Sequence, residues 1–167
     1  MRRIIAIEHP LGAEPATDSL LLDFDLRNRR RTVLTTLGGE AVLLDMPRAV
    51  HMRGGDVARL DDGGLIAIAA ADEALIEIAA GDSAALVRIA WHLGNRHLPT
   101  QLVAGENGGR IRIRADHVIR AMVEGLGGRC TDIAAPFDPE GGAYAGLGIL
   151  AQGGHGHAHG HMHHDHG

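Results

Sequence analysis

A chain of 167 residues, 45% apolar, has room for one domain or two small ones and enough apolar side chains for a real core. Its formal charge of −5 argues against a dedicated nucleic-acid binder, which needs a basic face to neutralise phosphates. All 16 basic residues are arginine, which excludes a Walker-A phosphate loop and a Schiff-base enzyme, because both need a lysine. Only Phe24, Trp91, Phe137 and Tyr144 are aromatic, so the core must come from Leu, Ile, Val and Ala. Cys130 is alone, which excludes an internal disulfide and a thiolate cluster and leaves it a small apolar position. No apolar run reaches the ~20 residues of a membrane span. Glu8 and Pro10 cut the run behind Arg2 and Arg3 short of a signal-peptide core. A cytoplasmic protein with neither membrane nor nucleic-acid partner is expected.

In chain order, the β-branched run Arg3–Ile7 before Pro10 and Gly12 predicts a first strand. Leu20–Leu26 ends in true alternation and predicts a strand with one wet face. The basic cluster Arg27–Arg31 is read as a solvated turn and strand start, with a peptide- or acid-binding surface as the alternative. Thr32–Thr36 and Glu40–Leu44 flank Leu37-Gly38-Gly39, a hairpin signal, and Leu65–Ala69 predicts a further strand. Six or so short strands without a convincing helix predict a small all-β unit ending near Asp72.

After Glu73 the grammar changes. Ala74–Ile78 reads as a strand, and Asp82-Ser83 caps a helix with apolar residues at Leu86, Ile89, Ala90 and Leu93, stopped by Gly94 and Pro99. Gln101–Ala104 and Arg110–Arg114 flank the hairpin turn Glu106-Asn107-Gly108-Gly109. Asp116 caps a second helix closed by Gly125-Leu126-Gly127-Gly128, and Arg129–Ile133 makes a last strand. The order β-α-β-β-α-β is that of a ferredoxin-like domain. The stretch from Ala135 to Tyr144 is too rich in Pro and Gly for regular structure, and Leu147–Gly154, which begins apolar and ends in Gly153-Gly154, is a linker. The predicted fold is α+β: a small all-β N-terminal domain over 1–72, a ferredoxin-like βαββαβ domain over 73–146 and a disordered His-rich tail over 147–167.

Metal chemistry has two candidate carriers. In the tail, His155, His157, His159, His161, His163, His164 and His166 alternate with small residues on a backbone with nothing to bury. Neutral imidazole suits borderline divalent ions, and a loose array selects weakly among Ni²⁺, Zn²⁺ and Cu²⁺, so storage or capture is its natural role. His97 sits at a helix end, where its ring projects past the last turn. One imidazole holds a transferable ion poorly, whereas two meeting across a twofold axis do better. An ordinary surface histidine stabilising the helix terminus is the plainer reading of His97 alone. His92 lies roughly 140° around a helix from His97 and is assigned to packing or hydrogen bonding. His117, in the first turn after Asp116, is either a second ligand or a solvated side chain; His9 and His51 have no legible partner. With Ser19 and Ser83 the only serines, no nucleophile–base pair is legible, so an enzyme is not expected.

Three stretches resemble the urease accessory protein UreE family: His92-Leu93-Gly94-Asn95-Arg96-His97-Leu98-Pro99-Thr100-Gln101, then Asp116-His117-Val118, then Ala135-Pro136-Phe137 through Pro139-Glu140 to Gly142-Ala143-Tyr144. The resemblance implies a nickel metallochaperone with a peptide-binding-like N-terminal β domain, a ferredoxin-like metal-binding domain and a homodimer. In that family the last histidine of the first motif binds nickel at the dimer interface, which carries over to His97. Some members have a His-x-His pair at the second helix; here Ala115 holds the earlier position, leaving His117 as an accessory ligand. The resemblance further implies handover of Ni²⁺ to the urease accessory GTPase UreG within the urease maturation complex. The alternative is a general His-rich metal store or zinc buffer without a dedicated client.

Overall fold

The turn signals of the first seventy residues do separate short strands in the computed structural model, which describes residues 1–9, 15–105 and 108–141. These are β1 (Arg3–Glu8), β2 (Asp18–Leu22), β3 (Arg31–Thr35), β4 (Ala41–Asp45), β5 (Val57–Leu60) and β6 (Leu65–Ala70). They form one sheet in the order β2-β6-β5-β1-β4-β3. Inward residues of this sheet, among them Ile4, Leu20, Val42, Leu44, Leu60 and Ile66, make an aliphatic core around Met52. The hairpin β3–β4 pairs Thr35 with Ala41, as its glycines predict. Its turn folds back onto β2: Leu37 N–H donates to the Ser19 carbonyl at 2.8 Å, which curls the sheet into a barrel-like shape. Gly38 permits that approach, since a Cβ there would stand 2.6 Å from Asp18 Oδ2.

One expected strand is cut short. The alternation of Leu20–Leu26 breaks at Leu22, and Asp23 caps a single helical turn, α1 (Phe24–Arg27), accepting from Leu26 N–H at 2.8 Å. A local side-chain cap here outweighs the alternating pattern.

The second unit runs β7 (Asp72–Ala79), α2 (Ser83–Asn95), β8 (Gln101–Val103), β9 (Arg110–Arg114), α3 (His117–Gly125), β10 (Arg129–Pro136). Its strands lie in the order β10-β7-β9-β8, each neighbouring pair antiparallel. Ile76, Ile78, Ile111 and Ile113 of the sheet pack against Leu86, Ile89 and Leu93 of α2 and Ile119 and Val123 of α3. Of the predicted turn 106–109, Glu106 and Asn107 lie outside the described residues. Both helices start where their aspartates predict. Asp82 accepts from Ala85 N–H at 2.8 Å, and Asp116 accepts from Val118 and Ile119 N–H at 2.8 and 3.0 Å. Asp116→Ala therefore lowers stability by about 1 kcal/mol, measurable as a drop in the urea midpoint at unchanged slope.

Two expectations fail together where the units meet. Arg27, expected in a solvated turn, is 1% exposed. Its Nη1 donates to the Met52 carbonyl at 3.3 Å and its Nη2 to the Phe137 carbonyl. The stretch beyond Ala135, expected to be irregular, carries β10 as far as Pro136, paired with Asp72, and Phe137 is fully buried. The rings of Phe24 and Phe137 pack edge to face at 5.5 Å, and the Arg114 guanidinium covers both at 5.2 and 5.8 Å. Arg114 also grips Asp25 with two bonds, 2.9 and 3.2 Å.

These pairs set a pH dependence. The hydrogen bonds from Arg114 to Asp25, from Arg59 to Glu8 and from Arg2 to Glu40 hold all three carboxyls below their usual range. A carboxyl depressed in the folded state contributes stability above its unfolded pKa and loses it as pH falls through the folded value. The urea midpoint is thus expected to stay flat from neutrality to about pH 5 and to decline below about pH 4.

Candidate metal centre

The geometry around His97 begins with how α2 ends. The sequence assigns the stop to Gly94 and Pro99, and the helix ends between them at Asn95; Gly94 lies inside the last turn, and the chain reverses at His97, which adopts a left-handed conformation with φ of 55°. His97 N–H donates to the Gly94 carbonyl at 3.0 Å and Leu98 N–H to the Leu93 carbonyl at 3.5 Å. Those two bonds define a Schellman motif whose usual glycine position is filled by a histidine. Leu98 then packs against the core cluster that contains Leu93, the apolar contact that accompanies such a motif. Non-glycine residues at positive φ are uncommon, and histidine is among those that tolerate it. Among the described residues only His97 combines a side chain with positive φ.

That turn places the imidazole outside the helix. His97 is exposed, and among the described residues its ring makes no hydrogen bond, ion pair or ring contact. His117, the first residue of α3, is also exposed and without a partner among the described residues. The other described histidines are committed. His92 meets Trp91 edge on, with ring centroids 5.0 Å apart, in keeping with a packing role. His9 and His51 do have partners, contrary to expectation: His9 Nδ1 lies 2.6 Å from Asp56 Oδ1, and His51 contacts Asn28 Oδ1 at 2.7 Å and Asp138 Oδ1 at 3.0 Å. These contacts span 23 to 87 residues of sequence, so no local spacing announces them.

Neighbours of the two free histidines meet, although neither histidine lines the hollow they share. Leu98 and Pro99, just after His97, and Asp116 and Ile119, which bracket His117, wall the same cavity of about 230 Å³. Arg96 Nε donates to Met122 Sδ at 3.0 Å, tying the end of α2 to α3. Among the described residues no three His, Cys, Asp or Glu side chains converge on one point. The seven predicted ligands His155 to His166 lie outside the described residues. Cys130 is half-buried on β10 against the core, and burial pushes its thiol pKa up, so it is a poor thiolate ligand. None of the described helices is long and apolar enough to cross a membrane.

The outer side of α2 is apolar as well. Val87 and Trp91, one turn apart, are 68% and 64% exposed on the helix that His97 terminates. Exposed rings and branched chains in a row are unusual on a free surface.

Comparison with known proteins gives one family over both units. The family model described as UreE urease accessory protein, N-terminal domain, matches residues 3–71, and that of the C-terminal domain matches residues 73–166. Urease accessory protein UreE of Bradyrhizobium sp. (strain ORS 278) is 60% identical over 132 residues, covering 79% of this chain and 61% of that protein. The protein of that name from Rhodopseudomonas palustris (strain HaA2) is 58% identical over 132 residues, 79% of this chain and 60% of its own length. That of Beijerinckia indica subsp. indica is 50% identical over 135 residues, 81% of this chain and 76% of its own. The chain thus spans 61% of the first of these relatives. Two matched domain models that together run from residue 3 to residue 166 place this chain in the UreE family of urease accessory proteins.

Proposed function

We propose that this chain is a metallochaperone that captures Ni²⁺ and delivers it for assembly of the urease active site, and that it is not itself an enzyme. The observation that carries the reading is His97: an exposed, unpartnered imidazole carried on the backbone reversal that ends α2, on a chain of the UreE family. The second unit, with its split β-α-β order, is read as ferredoxin-like, a rigid platform for that turn.

One imidazole does not hold nickel tightly, so the site is completed by a second copy. Val87 and Trp91 supply the apolar contact for an isologous dimer, and a twofold axis near the end of α2 sets two His97 rings facing each other. His117, whose neighbours share a hollow with those of His97, is the accessory ligand. Residues His155 to His166 add capacity, and Zn²⁺ or Cu²⁺ compete there because loose imidazoles select by affinity order alone. The recipient is the urease accessory GTPase UreG within the maturation complex, in the cytoplasm.

Isothermal titration of three proteins tests this: the full chain, a chain ending at Gly154, and the shortened chain carrying His97→Ala. The shortened chain is expected to bind fewer ions and to keep a tight site of one ion per dimer; His97→Ala is expected to remove that site. Equal stoichiometry for full and shortened chains would remove the tail from the account. Because the ligands must be neutral, nickel binding is expected to weaken on acidification.

A further inference from the structure

The strands β10 and β8 are opposite edges of the second sheet, yet residues 137–140, which follow β10, finish beside the start of β8. On the way they cross the end of the sheet where Asp72 begins β7 and Arg114 ends β9, and the Arg114 guanidinium covers the Phe137 ring at 5.8 Å. Phe137 and Pro139 are buried while Asp138 and Glu140 are exposed, the alternation of an extended strap with one face down.

Both units hold this strap. From the first, Arg27 Nη2 donates to the Phe137 carbonyl, and His51 Nε2 lies 3.0 Å from Asp138 Oδ1. His51 is itself braced: its Nδ1 stands 2.7 Å from Asn28 Oδ1, and Asn28 Nδ2 donates to the Phe24 carbonyl at 2.8 Å. From the second, Asp138 N–H donates to Gln101 Oε1 at 3.3 Å, and Glu140 N–H donates to the Thr100 carbonyl at 2.8 Å. Thr100 stands three positions beyond His97. Its Oγ1 donates to the Leu98 carbonyl at 3.0 Å, and Pro99 between them has a fixed φ, so residues 98–100 form an arm with little slack. The left-handed turn at His97 is thus held on its helix side by the bonds that close α2 and on its exit side, through Thr100, by the strap. A residue in a sparsely populated conformation persists only where its surroundings fix it from both sides.

We propose that residues 137–140 are a strap through which the first unit positions the turn that carries His97, with the contact between His51 and Asp138 as its latch. His51 acts only through Asp138, Glu140 and Thr100, which makes it a positioning residue and gives the first unit a part in shaping a turn that lies wholly in the second. The purpose of the strap rests on the reading of His97 as a metal ligand. The restraint itself does not, and it is measured without metal.

Amide hydrogen exchange followed by NMR, on the full chain in chelator, tests this with four variants: His51→Ala, Asp138→Ala, the two together, and His51→Gln, whose side-chain N–H stands in for Nε2. His51→Ala is expected to speed exchange roughly fivefold at Glu140 and roughly threefold at His97 and Leu98, with β7 and β9 unchanged. Asp138→Ala and the double variant are expected to match it, because one contact is lost only once. His51→Gln is expected to return the rates of the parent. Unchanged exchange at His97 and Leu98 in His51→Ala would overturn the proposal, whatever happens at Glu140. A double variant showing the product of the two single effects would overturn it too, as would His51→Gln behaving like His51→Ala. Equal acceleration in β7 and β9 would mark a general loss of stability and overturn it as well.

Discussion

His97→Gly is expected to make the protein more stable while abolishing its tight metal site. The left-handed conformation costs a residue bearing a Cβ about 1–2 kcal/mol, and histidine lies toward the low end of that range. Glycine adopts φ of 55° without that cost but surrenders about 0.5–1 kcal/mol to the extra freedom of its unfolded chain. The balance is a gain of up to about 1 kcal/mol, seen as a higher urea midpoint. Titration of the same variant in the chain ending at Gly154 is expected to show no tight nickel site. A substitution that stabilises and disables at once is hard to attribute to misfolding. His97→Ala differs instructively: it loses the ligand and keeps the backbone strain, so its stability is expected to stay near that of the parent. If His97→Gly bound nickel as before, the helix-end histidine would be a terminus residue and nothing more.

The largest loss of stability is expected at Arg27, far from any metal ligand. Its guanidinium is 1% exposed, its nearest carboxylate oxygen, on Asp138, is 4.0 Å away, and its Nε has no hydrogen-bond partner among the described residues. Such a charge is costly to bury, and what it returns is the satisfaction of two buried carbonyls, at Met52 and at Phe137, 110 residues along the chain. Arg27→Ala strands both carbonyls and opens a cavity between the units, for a loss of about 3 kcal/mol. Arg27→Met strands the same carbonyls, but it refills the space and removes the buried charge, so its loss is expected to be distinctly smaller. The two urea midpoints, read together, separate packing from hydrogen bonding. Because Phe137 opens the segment in which Glu140 N–H donates to the Thr100 carbonyl, just before β8, Arg27→Ala is also expected to speed hydrogen exchange in β8.

What was legible in the sequence was what is locally determined. Asp82 and Asp116 cap the helices that follow because the cap is a contact over two or three residues, and Gly39 of the β3–β4 turn, at φ of 88°, takes a backbone that glycine adopts most readily. The βαββαβ order follows from periodicity for the same reason. Illegible features depended on partners far along the chain. Arg27 reads as one more exposed arginine until Phe137 arrives over it, and Pro136 looks like a strand breaker until Asp72 pairs with it at a sheet edge, where proline is tolerated. At the site itself, the histidine and its position at a helix end between Gly94 and Pro99 were readable, but not that the histidine itself makes the reversal. Glycine is the usual signal for a left-handed cap, and here histidine takes that conformation three residues later. Neither the free rings of His97 and His117 nor the commitment of His9 to Asp56 has any signature in residue spacing.

Two His97 side chains are expected to share one nickel ion across a dimer axis. The direct measurement is an anomalous-scattering map at the nickel edge from a nickel-soaked crystal of the chain ending at Gly154. Its strongest peak is expected on a twofold axis, within bonding distance of the His97 imidazole of each protomer. A nickel peak elsewhere, with the two His97 rings apart and unliganded, would contradict it.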